Sequence, residues 1–154
     1  MNNGLHGNQI GFNEPCIFII SDNSTIRIGN NVGISQATLF ATKDITIGDN
    51  VKIGGVTRIY TTDFHSLDYR LRKKASEDVK NRVSAQVIIK SDVFIGSGCT
   101  ILKGVVVGER SIIGAGSVVT KSIPADELWA GNPARFIRRI NKDEKNNSSI
   151  NNRI

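Results

Sequence analysis

Residues 89–119 read IKSDVFIGSGCTILKGVVVGERSIIGAGSVV, with an aliphatic residue at every sixth position. The positions are Ile89, Ile95, Ile101, Val107, Ile113 and Val119. An α-helix repeats its apolar residues about every 3.6 positions and a half-buried strand about every two, so a strict period of six fits neither. The pattern predicts a solenoid of short strands joined by tight corners.

A second small or apolar position follows each aliphatic one after four residues. Its occupants are Val93, Cys99, Val105, Ser111, Ser117 and Ile123. This placement predicts that Cys99 is a small core residue rather than a nucleophile or a disulfide partner. Glycine often comes directly after the aliphatic position, as in Ile95-Gly96 and Ile113-Gly114, where we expect a corner with positive φ.

The same period runs through the first half of the chain. The aliphatic positions there are Ile28, Ile34, Phe40, Ile47, Ile53 and Ile59. One extra residue between Phe40 and Ile47 predicts a single widened corner. Grouped in threes, the hexapeptides give four triangular coils, with a partial coil from Cys16 to Ile20, so we expect four to five coils stacked about 4.8 Å apart.

The 154 residues suit one domain, which we assign to residues 1–140. Residues 141–154 are rich in Asn, Ser and Lys and are predicted to be a disordered tail. No stretch is apolar enough for a signal peptide or a membrane span, so a cytoplasmic protein without membrane insertion is expected.

The formal net charge of +6 suits an anionic partner. The charge is concentrated in the segment from Phe64 to Gln86, which carries six Lys or Arg against three acids. Nucleic acid binding is not predicted, because no aromatic residues are interleaved with a basic face. A nucleotide-bearing cofactor or an acidic glycan is a ligand of more suitable size than a nucleic acid.

The repeat breaks between Ile59 and Ile89, which predicts a loop extruded over about residues 62–87. Long loops on regular scaffolds often carry function. This loop holds His65, while the other histidine, His6, lies in an unpatterned segment. A zinc site of three histidines cannot be assembled from these two, so no metal is predicted.

Several motifs together resemble the acyltransferases built on a left-handed parallel β-helix of hexapeptide repeats. The motifs are the repeat itself, the loop 63–68 (DFHSLD), the string 113–121 (IGAGSVVTK) and the ending 130–135 (AGNPAR). Sugar O-acetyltransferases of the maltose, galactoside and Nod-factor type, and capsule or lipopolysaccharide O-acetyltransferases, are the most similar groups. The resemblance implies an all-β fold with a short C-terminal helix and a homotrimer with sites between subunits.

By the same resemblance, His65 is the general base that takes a proton from a sugar hydroxyl as it attacks acetyl-CoA. A neutral imidazole is suited to that task. The implied acetyl-CoA contacts are Phe94, Ser97, Ala115, Thr120, Lys121, Arg135 and Arg138. Either Asp63 or Asp68 could orient the His65 ring, or each could be a turn residue.

Acceptor contacts are assigned to Ser35, Asp63, Asp68 and Arg70, with Ser35 or a backbone N–H as the oxyanion donor. Trp129 either packs on the cofactor or caps the last coil. The maltose and galactoside enzymes have a longer helical segment before the β-helix, so we expect the acceptor pocket that this segment helps to build to be missing here or built differently. The function predicted is acetyl transfer from acetyl-CoA to a sugar or glycan hydroxyl. The alternatives are N-acetylation of an amino sugar or another amine, and a non-catalytic scaffold or glycan-binding module.

Overall fold

The computed structural model describes residues 14–21 and 23–140, which wind into a parallel β-solenoid. The strands are β1 (Ile17–Ile20), β2 (Ile26–Ile28), β3 (Gly33–Ile34), β4 (Thr38–Ala41), β5 (Ile45–Ile47), β6 (Lys52–Ile53), β7 (Arg58–Tyr60), β8 (Val87–Ile89), β9 (Phe94–Ile95), β10 (Thr100–Ile101), β11 (Val106–Val107), β12 (Ile112–Ile113), β13 (Val118–Val119), β14 (Glu127–Gly131) and β15 (Ala134–Arg139). One α-helix, α1 (Ala75–Lys80), and a 3₁₀ turn (Leu71–Lys73) lie between β7 and β8.

Every third strand joins the same sheet, which gives the prism three faces. Sheet 1 has the order β1-β4-β7-β10-β13, and sheet 2 has the order β11-β8-β5-β2. Sheet 3 has the order β15-β14-β12-β9-β6-β3. Sheet 1 crosses five coils, so the predicted number of coils is confirmed, and β1 supplies the predicted coil at Cys16–Ile20.

The core lies inside the prism and consists of the residues that the period of six selects. Ile89, Ile95, Ile101, Val107, Ile113 and Val119 are at most 1% exposed. The second positions are equally buried, and Cys99 is 0% exposed. Burial raises the pKa of the Cys99 thiol, as expected for a core residue rather than a nucleophile.

The register assigned to β4 from the sequence is wrong by one residue. Leu39, not Phe40, pairs with Ile59 and points into the core, where it is 0% exposed. The corner before β4 is therefore one residue shorter than expected, and the corner after β4 is one residue longer than expected. Phe40 points outward and its ring lies 4.8 Å from that of Phe64.

The reason expected for the corner glycines is also wrong, because Gly96 and Gly114 do not have positive φ. A Cβ on Gly96 would lie 2.5 Å from the backbone nitrogen of Ala115 in the next coil. Glycine is required there by the close stacking of the coils. Positive φ occurs instead at other corner residues, among them Asn31, Asn50, Asp92, Arg110 and Asp126 between sheets 2 and 3 and Gln36, Val56, Gly98 and Gly116 between sheets 3 and 1.

The predicted C-terminal helix is absent from the described residues, and an antiparallel hairpin of β14 and β15 stands in its place. β14 pairs with β12 and continues sheet 3, which leaves an edge that β15 covers. Arg138 therefore lies on a strand. Trp129 pairs with Ile113 in register and packs against the core, so it caps the last coil.

Two assignments made from sequence lie outside the described residues, namely the tail at 141–154 and the segment with His6. No helix between residues 14 and 140, residue 22 apart, has the length and apolar character needed to cross a membrane.

The replacement Gly96→Ala should lower the free energy of unfolding by about 1–3 kcal/mol, because the new methyl group would press on the backbone of the next coil. Urea denaturation would measure this change. Gly33→Ala is the matched control, since its Cβ would meet only the flexible Lys52 side chain at 3.2 Å. Equal stability of Gly96→Ala and the parent chain would contradict the stacking explanation.

Candidate functional site

The interruption of the repeat leaves the solenoid at the corner between sheets 1 and 2. β7 ends at Tyr60 and β8 begins at Val87. The two ends of the loop are held together by an antiparallel bridge between Thr62 and Ser84 and by a hydrogen bond from the Asp63 N–H to the Val83 carbonyl (3.0 Å). The chain therefore returns to the coil that it left. β7 and β8 each pair with strands of the coils above and below, as they would if no loop were present.

An aromatic cluster outside the prism fixes the start of the loop. The Phe64 ring lies 4.8 Å from Phe40 and 5.1 Å from Tyr60, which are cross-strand neighbours on β4 and β7. Phe64 has a φ of 65°, and its N–H donates to Thr62 Oγ1 at 3.2 Å. The ring contacts and this hydrogen bond hold the strained residue that directly precedes His65.

His65 and Asp78 form a hydrogen-bonded pair. His65 Nδ1 lies 2.7 Å from Asp78 Oδ2, and the Ser66 N–H donates to Asp78 Oδ1 at 2.7 Å. Asp78 sits on α1 and is 7% exposed, whereas the His65 side chain is 69% exposed. α1 thus brings a carboxylate to one edge of the imidazole and leaves the rest of the ring accessible.

The Asp78 carboxylate is stabilised in its charged form. The hydrogen bond with His65 lowers the pKa of Asp78, and the Ser66 N–H lowers it further. An ionised carboxylate can only accept hydrogen bonds, so His65 Nδ1 must carry the proton that it donates to Asp78. This favours the tautomer in which Nε2 is unprotonated. Nε2 is then free to accept a proton from a molecule in solution.

Neither of the two acids considered as possible partners of the His65 ring contacts it, and each has another partner. Asp63 forms an ion pair with Lys103 Nζ at 2.7 Å, which ties the loop to the next coil. Asp68 accepts from the backbone N–H and the guanidinium of Arg70. Asp78 was not identified as a site residue from the sequence. The sequence shows only that it is one of the acidic residues in the interruption of the repeat.

The expected cofactor contacts lie on two different edges of the prism. Ser97 and Ala115 lie in adjacent coils at the corner between sheets 3 and 1, and Ser35, an expected acceptor contact, lies at the same corner. Phe94, which is 50% exposed, and the arginines of β15 lie on sheet 3. Thr120 and Lys121 lie at the corner that also carries His65. One copy of the chain therefore does not bring Ser97 and Ala115 together with His65.

Within residues 14–21 and 23–140, no group of three or more His, Cys, Asp or Glu side chains is placed to hold a metal ion.

Residues 86–121 match the family described as bacterial transferase hexapeptide, six repeats. A hexapeptide-repeat containing acetyltransferase from Vibrio cholerae is 38% identical in sequence, and the superposition has a TM-score of 0.71. It covers 82% of this chain and 70% of the Vibrio protein. The chain belongs to the hexapeptide-repeat transferase family.

Two other members of this family are similar to the chain. The galactoside O-acetyltransferase of Escherichia coli is 38% identical over 133 residues, which are 86% of this chain and 62% of that protein. A maltose O-acetyltransferase from Clostridium difficile is 31% identical with a TM-score of 0.67, covering 84% of this chain and 70% of that one. The chain thus spans less than two thirds of the length of the Escherichia coli relative.

The replacement Asp78→Asn should destabilise this hexapeptide-repeat chain at neutral pH. The folded-state pKa of Asp78 is lowered below 3.8, so its stabilising effect is present above that value and is lost as the pH falls through the folded-state pKa. The difference in melting temperature between parent and variant should therefore shrink below about pH 4.

Glu77→Gln is the control for this titration, because it removes a carboxylate from the same helix without touching His65. Its melting temperature should differ little from that of the parent at any pH. If the Asp78→Asn difference stayed constant from pH 7 down to pH 2.5, the charged form of Asp78 would not be the source of the stabilisation.

Proposed function

We propose that this chain transfers an acetyl group from acetyl-CoA to a hydroxyl of a sugar or glycan. The observation that carries the proposal is the exposed His65 held by the buried Asp78. Support comes from the family, since the Vibrio cholerae acetyltransferase has been solved with acetyl coenzyme A and a galactoside acetyltransferase with coenzyme A.

In the proposed reaction His65 Nε2 takes the proton of the acceptor hydroxyl while its oxygen attacks the thioester carbonyl. The C–S bond breaks as the tetrahedral intermediate collapses, and the thiolate recovers the proton from the imidazolium. Asp78 acts as a positioning residue that holds Nδ1 and stabilises the transient imidazolium through its negative charge. A backbone N–H or the Ser35 hydroxyl would stabilise the oxyanion.

The contacts proposed for acetyl-CoA divide into a small-residue wall and a basic end. Ser97 and Ala115 have small side chains beside Gly96 and Gly114, so a ligand can approach the backbone of this corner closely. Lys121 and Arg135 are exposed cations suited to phosphate groups, and Arg135 can offer a forked donor. Phe94, Thr120 and Arg138 complete the proposed cofactor set, and Asp63, Asp68 and Arg70 the proposed acceptor set.

The distribution of these residues over two edges supports a homotrimer with shared sites. His65 of one copy would face the Ser97 and Ala115 edge of its neighbour. The site would then be incomplete in an isolated chain.

The replacement His65→Ala should lower kcat by about 10²–10⁴-fold, because the base is removed. Binding of coenzyme A should persist, and saturating coenzyme A at 100 times its Kd should add about 2.7 kcal/mol of stability to both proteins. A thiol-release assay and thermal melting measure the two effects.

Two further variants separate positioning from general destabilisation. Asp78→Asn should lower kcat and shift its pH profile with little change in KM, and Asp78→Glu should restore part of the rate. Glu77→Gln, which removes a carboxylate from the same helix without contacting His65, is the control. Turnover of His65→Ala within a few-fold of the parent would overturn the proposed base. Assays of the parent and the variants with amino sugars as acceptors also test the N-acetylation alternative.

Shared sites predict complementation between two inactive variants. Ala115→Trp should block the cofactor edge and His65→Ala removes the base, so each alone should be inactive. Co-expressed in equal amounts, they should recover about a quarter of the parent activity, since that fraction of interfaces pairs an intact His65 with an intact edge. Mixed oligomers without activity would place the whole site within one chain.

A further inference from the structure

A second feature at the base of the loop is a cleft on the side away from the His65–Asp78 pair. Two cavities of about 360 and 370 Å³ adjoin there, and both are lined by Thr42, Lys43 and Ser84. We call the joined cavities the loop-base cleft. Each cavity is within the size range of about 300–1,000 Å³ that small-molecule sites occupy.

The lining of the loop-base cleft is polar and cationic. Lys43, Lys80 and Arg82 supply positive charge. The described lining contains one acid, Asp44, whose carboxylate is held by the Arg27 guanidinium at 3.0 Å and by the Thr25 backbone. The cation held against Asp44 lowers its pKa and offsets its charge. The potential in the cleft therefore favours an anion.

Hydroxyl and amide groups complete the lining and are set on the rigid solenoid. Ser84 Oγ accepts from Thr42 Oγ1 at 3.1 Å, and the Thr42 N–H donates to Thr61 Oγ1 at 2.8 Å. Asn23, Ser24 and Gln86 add side chains that both donate and accept. Such groups match the hydroxyls of a sugar, while the described lining holds no aromatic ring on which a nucleic acid base could stack.

α1 separates the cleft from the His65–Asp78 pair. Successive residues of an α-helix are rotated by about 100°, so Lys80 lies about 200° around the axis from Asp78. Lys80 and Val79 line the cleft, whereas Asp78 holds His65. One short helix thus has the cleft on one side and the histidine on the other.

We propose that the loop-base cleft binds an acidic oligosaccharide. Lys43 and Lys80 bind its carboxylates and the hydroxyl network binds its sugar rings. For catalysis the proposal rests on the proposed function, because the cleft would then hold neighbouring units of a polymeric acceptor while one unit is presented to His65. Binding itself does not depend on acetyl transfer.

The test is calorimetric titration of the full chain with trigalacturonic acid, with maltotriose as the neutral match. The acidic trimer should bind at least about tenfold more tightly than maltotriose. Lys43→Gln and Lys80→Gln should each weaken its binding by roughly fivefold. Lys90→Gln removes the same charge from an exposed lysine outside the cleft lining and should bind as the parent does.

Three outcomes would overturn the cleft assignment. These are equal binding of the neutral and acidic trimers, unchanged binding by both cleft variants, and tighter binding of an oligo-dT than of the acidic trimer. His65→Ala should bind trigalacturonic acid normally. If the acidic trimer binds but no acceptor is acetylated, the proposed function is rejected and the proposed binding site is supported. If an acceptor is acetylated but the acidic trimer does not bind, the binding site is rejected and the proposed function is supported.

Discussion

The in-register stacking of one coil on the next is the constraint on which the rest of this structure depends. In these parallel ladders each strand exchanges backbone hydrogen bonds with residues that flank its register partners one coil away, as from Gly48 N–H to the Ile89 carbonyl and from Arg58 N–H to the Cys99 carbonyl. Each position must therefore tolerate its own vertical neighbours. Glycine at position 96 and the hydrogen bonds that link Asn31 to Asn50 and Asn50 to Asp92 are consequences of that rule.

This constraint explains how much of the fold could be predicted. A residue whose vertical neighbours are all aliphatic must point inward, so the period from Ile89 to Val119 identified the core correctly. The period could not choose between Leu39 and Phe40, because both are large and apolar and the corners around β4 depart from six residues. Nor could it describe the β14–β15 hairpin, whose strands lie beyond the last repeat.

The residues of the candidate site likewise fall into those that could be predicted from the sequence and those that could not. His65 could be found because a break in a strict repeat is visible in the sequence. Asp78 could not, because its position depends on how the loop folds upon itself through the 3₁₀ turn and α1, where no period applies. The separation of Ser97 and Ala115 from His65 follows from the three-sided cross-section, which places consecutive corners on different edges of the prism.

The loop is joined to the solenoid through a narrow neck at Thr62 and Ser84, and the strands on either side keep their pairing with the coils above and below. Length and composition between these two residues can therefore change without disturbing the core. The loop can therefore vary as a unit while the coils on which it is built keep their backbone pairing.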